Sequence, residues 1–258
     1  AGPGGGQILL GSTAGTPNNS NHIYYGTSNM GLTIGAGVTV RPDATNPGGG
    51  TITLAYGPAS GAIAGHVLAD QGRTITIETV NGGSWSNTGT LEATGGTLKL
   101  NNAWSSAAPG SLLLGAGGTL NLGGSFTTAS FETLDRTGGV GTLNLVGTLD
   151  NTGDTLTLDT STGTMTALSN GTIVGGTIAG EAGRLRMSSD SVLDGVTLTT
   201  QVDVPVNDSM RIRNGLTLDG GSILLTNNSS LRYEGTQSIL AGPGGGQILL
   251  GSTAGTPN

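Results

Sequence analysis

Two short basic phrases, Arg184-Leu185-Arg186 and Arg211-Ile212-Arg213, are the first places where this sequence could recognise a partner. Alternate residues of an extended chain point to one face, so each phrase presents two guanidinium groups together. Such a pair suits an anion or an acidic sugar, or a lateral contact between fibres. It also suits ion pairs with Asp190, Asp194, Asp203 or Asp208. Pairing of that kind, worth about 0–1 kcal/mol per exposed pair, is the plainer expectation. Trp85 and Trp104 lie nineteen residues apart. Stacked and exposed, two indoles bind sugar rings or a neighbouring fibre; turned inward, they cover the base of a loop.

Catalysis finds less support. Glycoside cleavage needs two carboxyl groups about 5–9.5 Å apart. Asp150 with Asp154, and Asp190 with Asp194, are the pairs a corner could bring together. The remaining acids are spread thinly, as solvated turn residues are. His22 and His66 are the only histidines, and there is no cysteine, so a metal site is not expected. A Gly-x-Ser-x-Gly elbow is missing. The glycines at positions 2–6 lack the Lys-Ser/Thr ending of a phosphate loop and read as a joint between units. No calcium-binding Gly-Gly-x-Gly-x-Asp array occurs. The expectation is a protein that is not an enzyme, without catalytic residues, cofactor or metal. A polysaccharide-binding or polysaccharide-cleaving protein is the alternative.

What must position these residues is a repeat. Residues 1–18, AGPGGGQILLGSTAGTPN, return letter for letter as residues 241–258. Self-similarity at a fixed period marks architectures whose units cover one another's apolar ends. The chain therefore reads as one tandem unit, residues 1–240, followed by the start of the next identical unit, residues 241–258. Glycine accounts for 50 of 258 residues and charged residues for only 10%, a composition that could signal disorder. Short apolar alternations along the whole length argue for folded strands instead. A net charge of −7 disfavours nucleic acid and anionic membrane surfaces as partners. No apolar run approaches the roughly 18 residues of a spanning helix, so membrane insertion is not expected.

A shorter period lies inside the long one. Gly-Thr-Leu-x-Leu occurs at 96–100, 118–122 and 141–145, with looser versions upstream and downstream about twenty residues apart. In each phrase the apolar residues alternate, one face inward. Near-constant spacing favours a coil of parallel strands over an antiparallel sandwich, which would need a hairpin signal between every pair. The spacing predicts an all-β parallel β-helix, or solenoid, of about twelve coils per 240 residues. At about 4.8 Å per coil, one unit extends roughly 55–60 Å. Glycine and asparagine serve the corners, with 87–89 and 151–153 as examples. Residues 14–22, 41–49 and 101–110 read as loops bulging from the coil, and Pro205 as an edge or corner.

The stretches NTGTLEATGGTL at 87–98 and GTLNLVGTLDNTG at 141–153 resemble the repetitive stalks of secreted bacterial adhesins, of the filamentous-haemagglutinin-like exoprotein and autotransporter-passenger type. That resemblance covers about residues 26–240 and lies in texture. It implies a right-handed parallel β-helix at the bacterial cell surface or outside the cell, in an adhesin shaft or biofilm matrix. The near-identity of a 240-residue unit departs from the degenerate coils of such stalks and favours a fibre or sheath. Expected partners are identical units end to end, laterally associated fibres, and surface glycans.

Overall fold

A computed structural model describes residues 5–12, 20–136 and 141–251. The chain is all-β, 56% strand, and its parallel sheets wind a β-solenoid of about nine turns. It divides into two units, Ala1–Leu143 and Asn144–Asn258, the boundary falling within strand Thr142–Leu145.

In the first unit three sheets share the turns. One holds Gly6–Leu10, Val38–Pro42, His66–Ala69, Thr90–Ala93 and Ser111–Leu114. The second holds Ser20–Ile23, Gly49–Tyr56, Thr74–Val80, Thr97–Leu100 and Thr119–Leu122; the third holds Thr33–Ile34, Ser60–Ile63, Ser84–Asn87 and Ala103–Ser106. The alternation in the sequence dictates the stacking. Leu98 pairs with Ile75 on one side and Leu120 on the other, and Leu100 with Ile77 and Leu122. All six are fully buried, while Lys99 between them points outward. Each buried Leu or Ile is worth about 1.5–3 kcal/mol. Ordering a residue's backbone costs about 1–2 kcal/mol, so a strand of four needs both neighbours.

In the second unit Met165–Ala167, Leu185–Met187, Gln201–Val204, Ser222–Leu225 and Gln247–Leu250 form one parallel ladder. Ser191–Leu198 and Ser209–Leu218 are longer strands that bend from one face to the next. The bends lie at Gly195 (φ 66°) and at Asn214 and Gly215 (φ 53° and 89°). A kink of this kind replaces a loop, which keeps the spacing there near twenty.

Several expectations need correction. Twelve equal coils is too many, because turn length varies: Gly6 pairs with Val38, 32 positions on, whereas Leu185 pairs with Val202, 17 positions on. The early turns carry the excess, in the stretch from Ile23 to Thr33 and in the turn after Pro42. Residues 101–110 are no bulge. They contain strand Ala103–Ser106, with Trp104 turned inward. Of residues 14–22, the stretch 14–19 lies outside the described residues, and Ser20–Ile23 is a strand. Pro205 does close an element, following strand Gln201–Val204 directly. A one-turn helix, Thr128–Phe131, had no counterpart in the sequence reading; its N-cap Thr127 hydroxyl accepts from the Ser130 amide at 3.3 Å. Met30–Gly31 pairs antiparallel with Ala55 and Tyr56, and an isolated antiparallel bridge joins Gly11 to Pro47, in contrast to the parallel strand pairs described above.

The corner asparagines work differently from the expectation. Asn87 and Asn151 are not left-handed; they are buried, at 1% and 0% exposure. Asn87 Nδ2 donates to the Ser111 carbonyl at 3.2 Å, and Asn151 Nδ2 to the Thr177 carbonyl at 2.9 Å. In each case the inward amide bonds a backbone carbonyl of the following turn, 24 and 26 residues on, and so ties successive turns together at the corner. In the 151–153 corner the left-handed position is taken by Gly153 (φ 80°), as expected of glycine there, and left-handed asparagines occur elsewhere, Asn81, Asn102 and Asn170 among them.

Candidate functional site

The repeated segment is the first feature with functional content. In its first occurrence Gly6–Leu10 is a strand paired with Val38–Pro42, Ile8 facing Val40 and Leu10 facing Pro42. In its second, Gln247–Leu250 is again a strand, paired with Ser222–Leu225, Ile248 facing Ile223 and Leu250 facing Leu225. Val40, Ile223 and Leu225 are buried, so the same two residues of the segment turn inward in both places. The preceding glycine is left-handed in both, Gly5 and Gly245 each at φ 68°. Residues 252–258 lie outside the described residues.

The turn that carries the second occurrence is uncovered. Tyr233 (74% exposed), Ile239, Ile248 and Leu250 (82%) all sit there. Each is paired with a buried residue below: Tyr233 with Ile212, Ile239 with Leu216, Ile248 with Ile223 and Leu250 with Leu225. They therefore face the interior, and no described residue lies on top of them. A cavity of about 570 Å³ opens beside Tyr233 and Ile239, lined also by Ile212, Leu231 and Gln237.

The arginine phrases land on ion pairs. Arg211 and Arg213 lie on strand Ser209–Leu218 and both reach Glu234; the Arg213 Nη2–Glu234 Oε2 distance is 2.7 Å. Arg213 also lies 3.6 Å from Asp194, and Arg232 pairs with Asp190 at 3.0 Å. Three guanidinium groups thus meet three carboxylates across neighbouring turns, and the patch carries no surplus positive charge for an anion. Arg184 closes on Glu181 at 2.8 Å. Arg186 is exposed on strand Leu185–Met187, in register with Asp203, and its guanidinium makes no ion pair among the described residues. Sequence reading named Asp194 but missed Glu234, which lies 21 residues from Arg213 and becomes its neighbour only through the register of turns.

The Glu234 carboxyl is held below the ordinary glutamate value of 4.5, chiefly by the hydrogen bond from Arg213; burial opposes the shift and Arg211 reinforces it. A depressed carboxylate contributes stability above its unfolded pKa and loses it as pH falls through the folded value. We expect Arg213→Gln to raise the Glu234 titration midpoint, read by carbon-13 NMR of the side-chain carboxyl. An unmoved midpoint would exclude Arg213 as its cause.

Trp85 and Trp104 do stack one turn apart, with ring centroids 5.8 Å apart, and Phe126 continues the column at 4.5 Å. Of the two readings of these indoles, the inward one agrees with their burial, at 2% and 4% exposure, which leaves neither ring face open to a glycan. Each indole Nε1 donates to a backbone carbonyl at 2.9 Å, Trp85 to Asn101 and Trp104 to Gly123, so both rings and their polar edges are satisfied inside the coil. Phe126 follows Trp104 by twenty-two residues, and that spacing was the signal available in the sequence.

The histidines separate. His66 Nε2 lies 2.9 Å from Glu92, while Asp70, its nearer neighbour in sequence, pairs with Arg41. His22 joins an edge-to-face run with Tyr24 and Tyr25, and Tyr25 lies 4.3 Å from Tyr56. A groove of about 220 Å³ runs beside these rings, lined by Tyr24, Tyr25, Met30 and Leu54. Asp150 accepts from the Thr152 amide at 3.0 Å in a turn. Among the described residues no three His, Asp or Glu side chains cluster as metal ligands, and no helix is long and apolar enough to cross a membrane.

Comparisons with protein-family models, curated proteins and solved structures found no match.

Proposed function

We propose that this chain is a structural repeat module of a long extracellular bacterial surface fibre, sheath or adhesin shaft, extended by end-to-end stacking of solenoid units. The supporting observation is the repeated strand. One sequence takes a lower partner in one place and an upper partner in the other, with Ile8/Ile248 and Leu10/Leu250 inward both times. A segment with those two compatible sides is what a continuing array requires, since solenoid stability is a sum over neighbouring units. The mechanism is mechanical: each turn's edge is paired by the next, giving length and stiffness without a catalytic site. The bacterial, extracellular setting rests on the textural resemblance to adhesin stalks, and the absence of cysteine is compatible with it. Lateral association of rods and contact with surface glycans belong to the same reading, with Arg186 the one guanidinium of the two phrases left free for either. Negative-stain imaging of native material tests it. Long uniform threads with a regular axial repeat are the expected result; monodisperse globules would end the proposal.

A further inference from the structure

The uncovered turn also specifies what covers it, and this inference rests on the stacking reading above. In the first unit, apart from the short antiparallel Met30–Gly31, a strand is paired with the third one on: Ser20–Ile23 and Thr33–Ile34 intervene between Gly6–Leu10 and its partner Val38–Pro42. The second unit keeps the same count, with Ser230–Tyr233 and Ile239–Ala241 between Ser222–Leu225 and Gln247–Leu250. Because residues 241–258 and 1–18 are identical, the two pairings can be superposed on the shared strand.

From this superposition we infer that the turn formed by residues 230–250 is a docking face for the first turn of a second copy of this chain, in a fixed register. Gln247–Leu250 of one copy takes the place of residues 7–10 of the next. Ser222, Gln247 and the second copy's Thr39 then stand in one row; Ile223, Ile248 and the second copy's Val40 in another; Leu225, Leu250 and the second copy's Pro42 in a third. Counting three strands on, the second copy's Ser20–Ile23 lies over Ser230–Tyr233, and its Thr33–Ile34 over Ile239–Ala241. Ile23 is in register with buried Ile52 and so faces inward; it and Tyr25 are delivered to the cavity beside Leu231 and Tyr233. The four tyrosines of the chain, Tyr24, Tyr25, Tyr56 and Tyr233, are thereby gathered at the joint.

A chain without cysteine allows a clean test. Adjacent strands stand about 4.8 Å apart, within the roughly 4.4–6.8 Å a disulfide spans between Cα atoms. Gln247→Cys is placed in one 258-residue chain and Thr39→Cys in another; the two are mixed and oxidised. The expected result is a mixed cross-linked dimer well in excess of either homodimer. Adding Leu250→Asp to the first chain lowers its yield at least about tenfold, since a buried carboxylate costs more than the 1.4 kcal/mol that a factor of ten represents. Adding Leu10→Asp to the second chain raises the yield, by loosening the strand to be replaced. Gln7→Cys with Thr39→Cys in one chain is the control, closing an internal bond. A control bond without the mixed dimer, or a mixed dimer indifferent to Leu250→Asp, overturns the inference. Native threads seen alongside that failure leave the fibre reading standing with a different joint; the mixed dimer with only globular native material removes the fibre reading and keeps the joint.

Discussion

Leu98→Asp is expected to abolish cooperative folding of the first unit at 25 °C, whereas Lys99→Asp, one position away, should change stability by less than about 0.5 kcal/mol. Leu98 is fully buried between Ile75 and Leu120 and has no polar partner within the stack. An aspartate there must either ionise in an apolar column or take up a proton, and the side chains of Ile75 and Leu120 offer a hydrogen-bond partner to neither form. Removing the Leu itself forfeits a further 2–5 kcal/mol of packing. Together these consume most of the 5–15 kcal/mol that holds a typical domain. Lys99 is exposed, in register with Thr76 and Asn121, so its replacement meets only solvent and polar neighbours. Far-ultraviolet circular dichroism and urea denaturation of both variants check the pair. If Leu98→Asp folds with a transition close to that of the unaltered chain, the strand Thr97–Leu100 does not face the interior as described.

That contrast is also why the fold was legible. Gly-Thr-Leu-x-Leu alternates apolar and polar residues, and its repetition every 22 or 23 positions fixes which strands must meet; the observed pairs Thr97–Thr74 and Thr97–Thr119 are those that the spacing implies. Inward and outward assignments needed no knowledge of the turns. Turn lengths and corner chemistry were harder to see, because they depend on how far the chain strays before rejoining the ladder. Asn87 carries no sequence mark that separates an inward, donating amide from the left-handed Asn81. Trp85 and Trp104 were correctly one turn apart, but spacing alone does not say which side of the sheet they occupy; burial against Phe126 decides it. The arginine phrases were legible as ion pairs in kind. Their principal acceptor, Glu234, was not, since the register that brings it beside Arg213 runs through an irregular turn.

Glycine at the corners gives the second large effect, and Gly124 is the sharpest case. It sits at φ 64°, and a Cβ built there falls 1.6 Å from the Asn102 carbonyl oxygen. That oxygen already accepts from the Ser125 amide at 2.8 Å, and the adjacent Gly123 amide donates to Leu100 at 2.8 Å. A side chain at 124 can be housed only by parting two turns at this corner, which breaks both bonds and withdraws the Gly123 carbonyl from the Trp104 indole, now 2.9 Å away. Gly82 provides the comparison: it is equally left-handed, at φ 92°, but no atom lies within 4 Å of a Cβ placed there. Gly82→Ala should cost only the conformational penalty, about 1–2 kcal/mol. Gly124→Ala adds the loss of hydrogen bonds worth about 1 kcal/mol each, a buried carbonyl left unsatisfied and disturbed packing, for a total above about 3 kcal/mol. Denaturant midpoints followed by tryptophan fluorescence compare the two directly, because Trp104 reports on the very corner that must open. Equal costs would mean that left-handed geometry alone accounts for glycine in this chain, and that the close approach of successive turns does not constrain it.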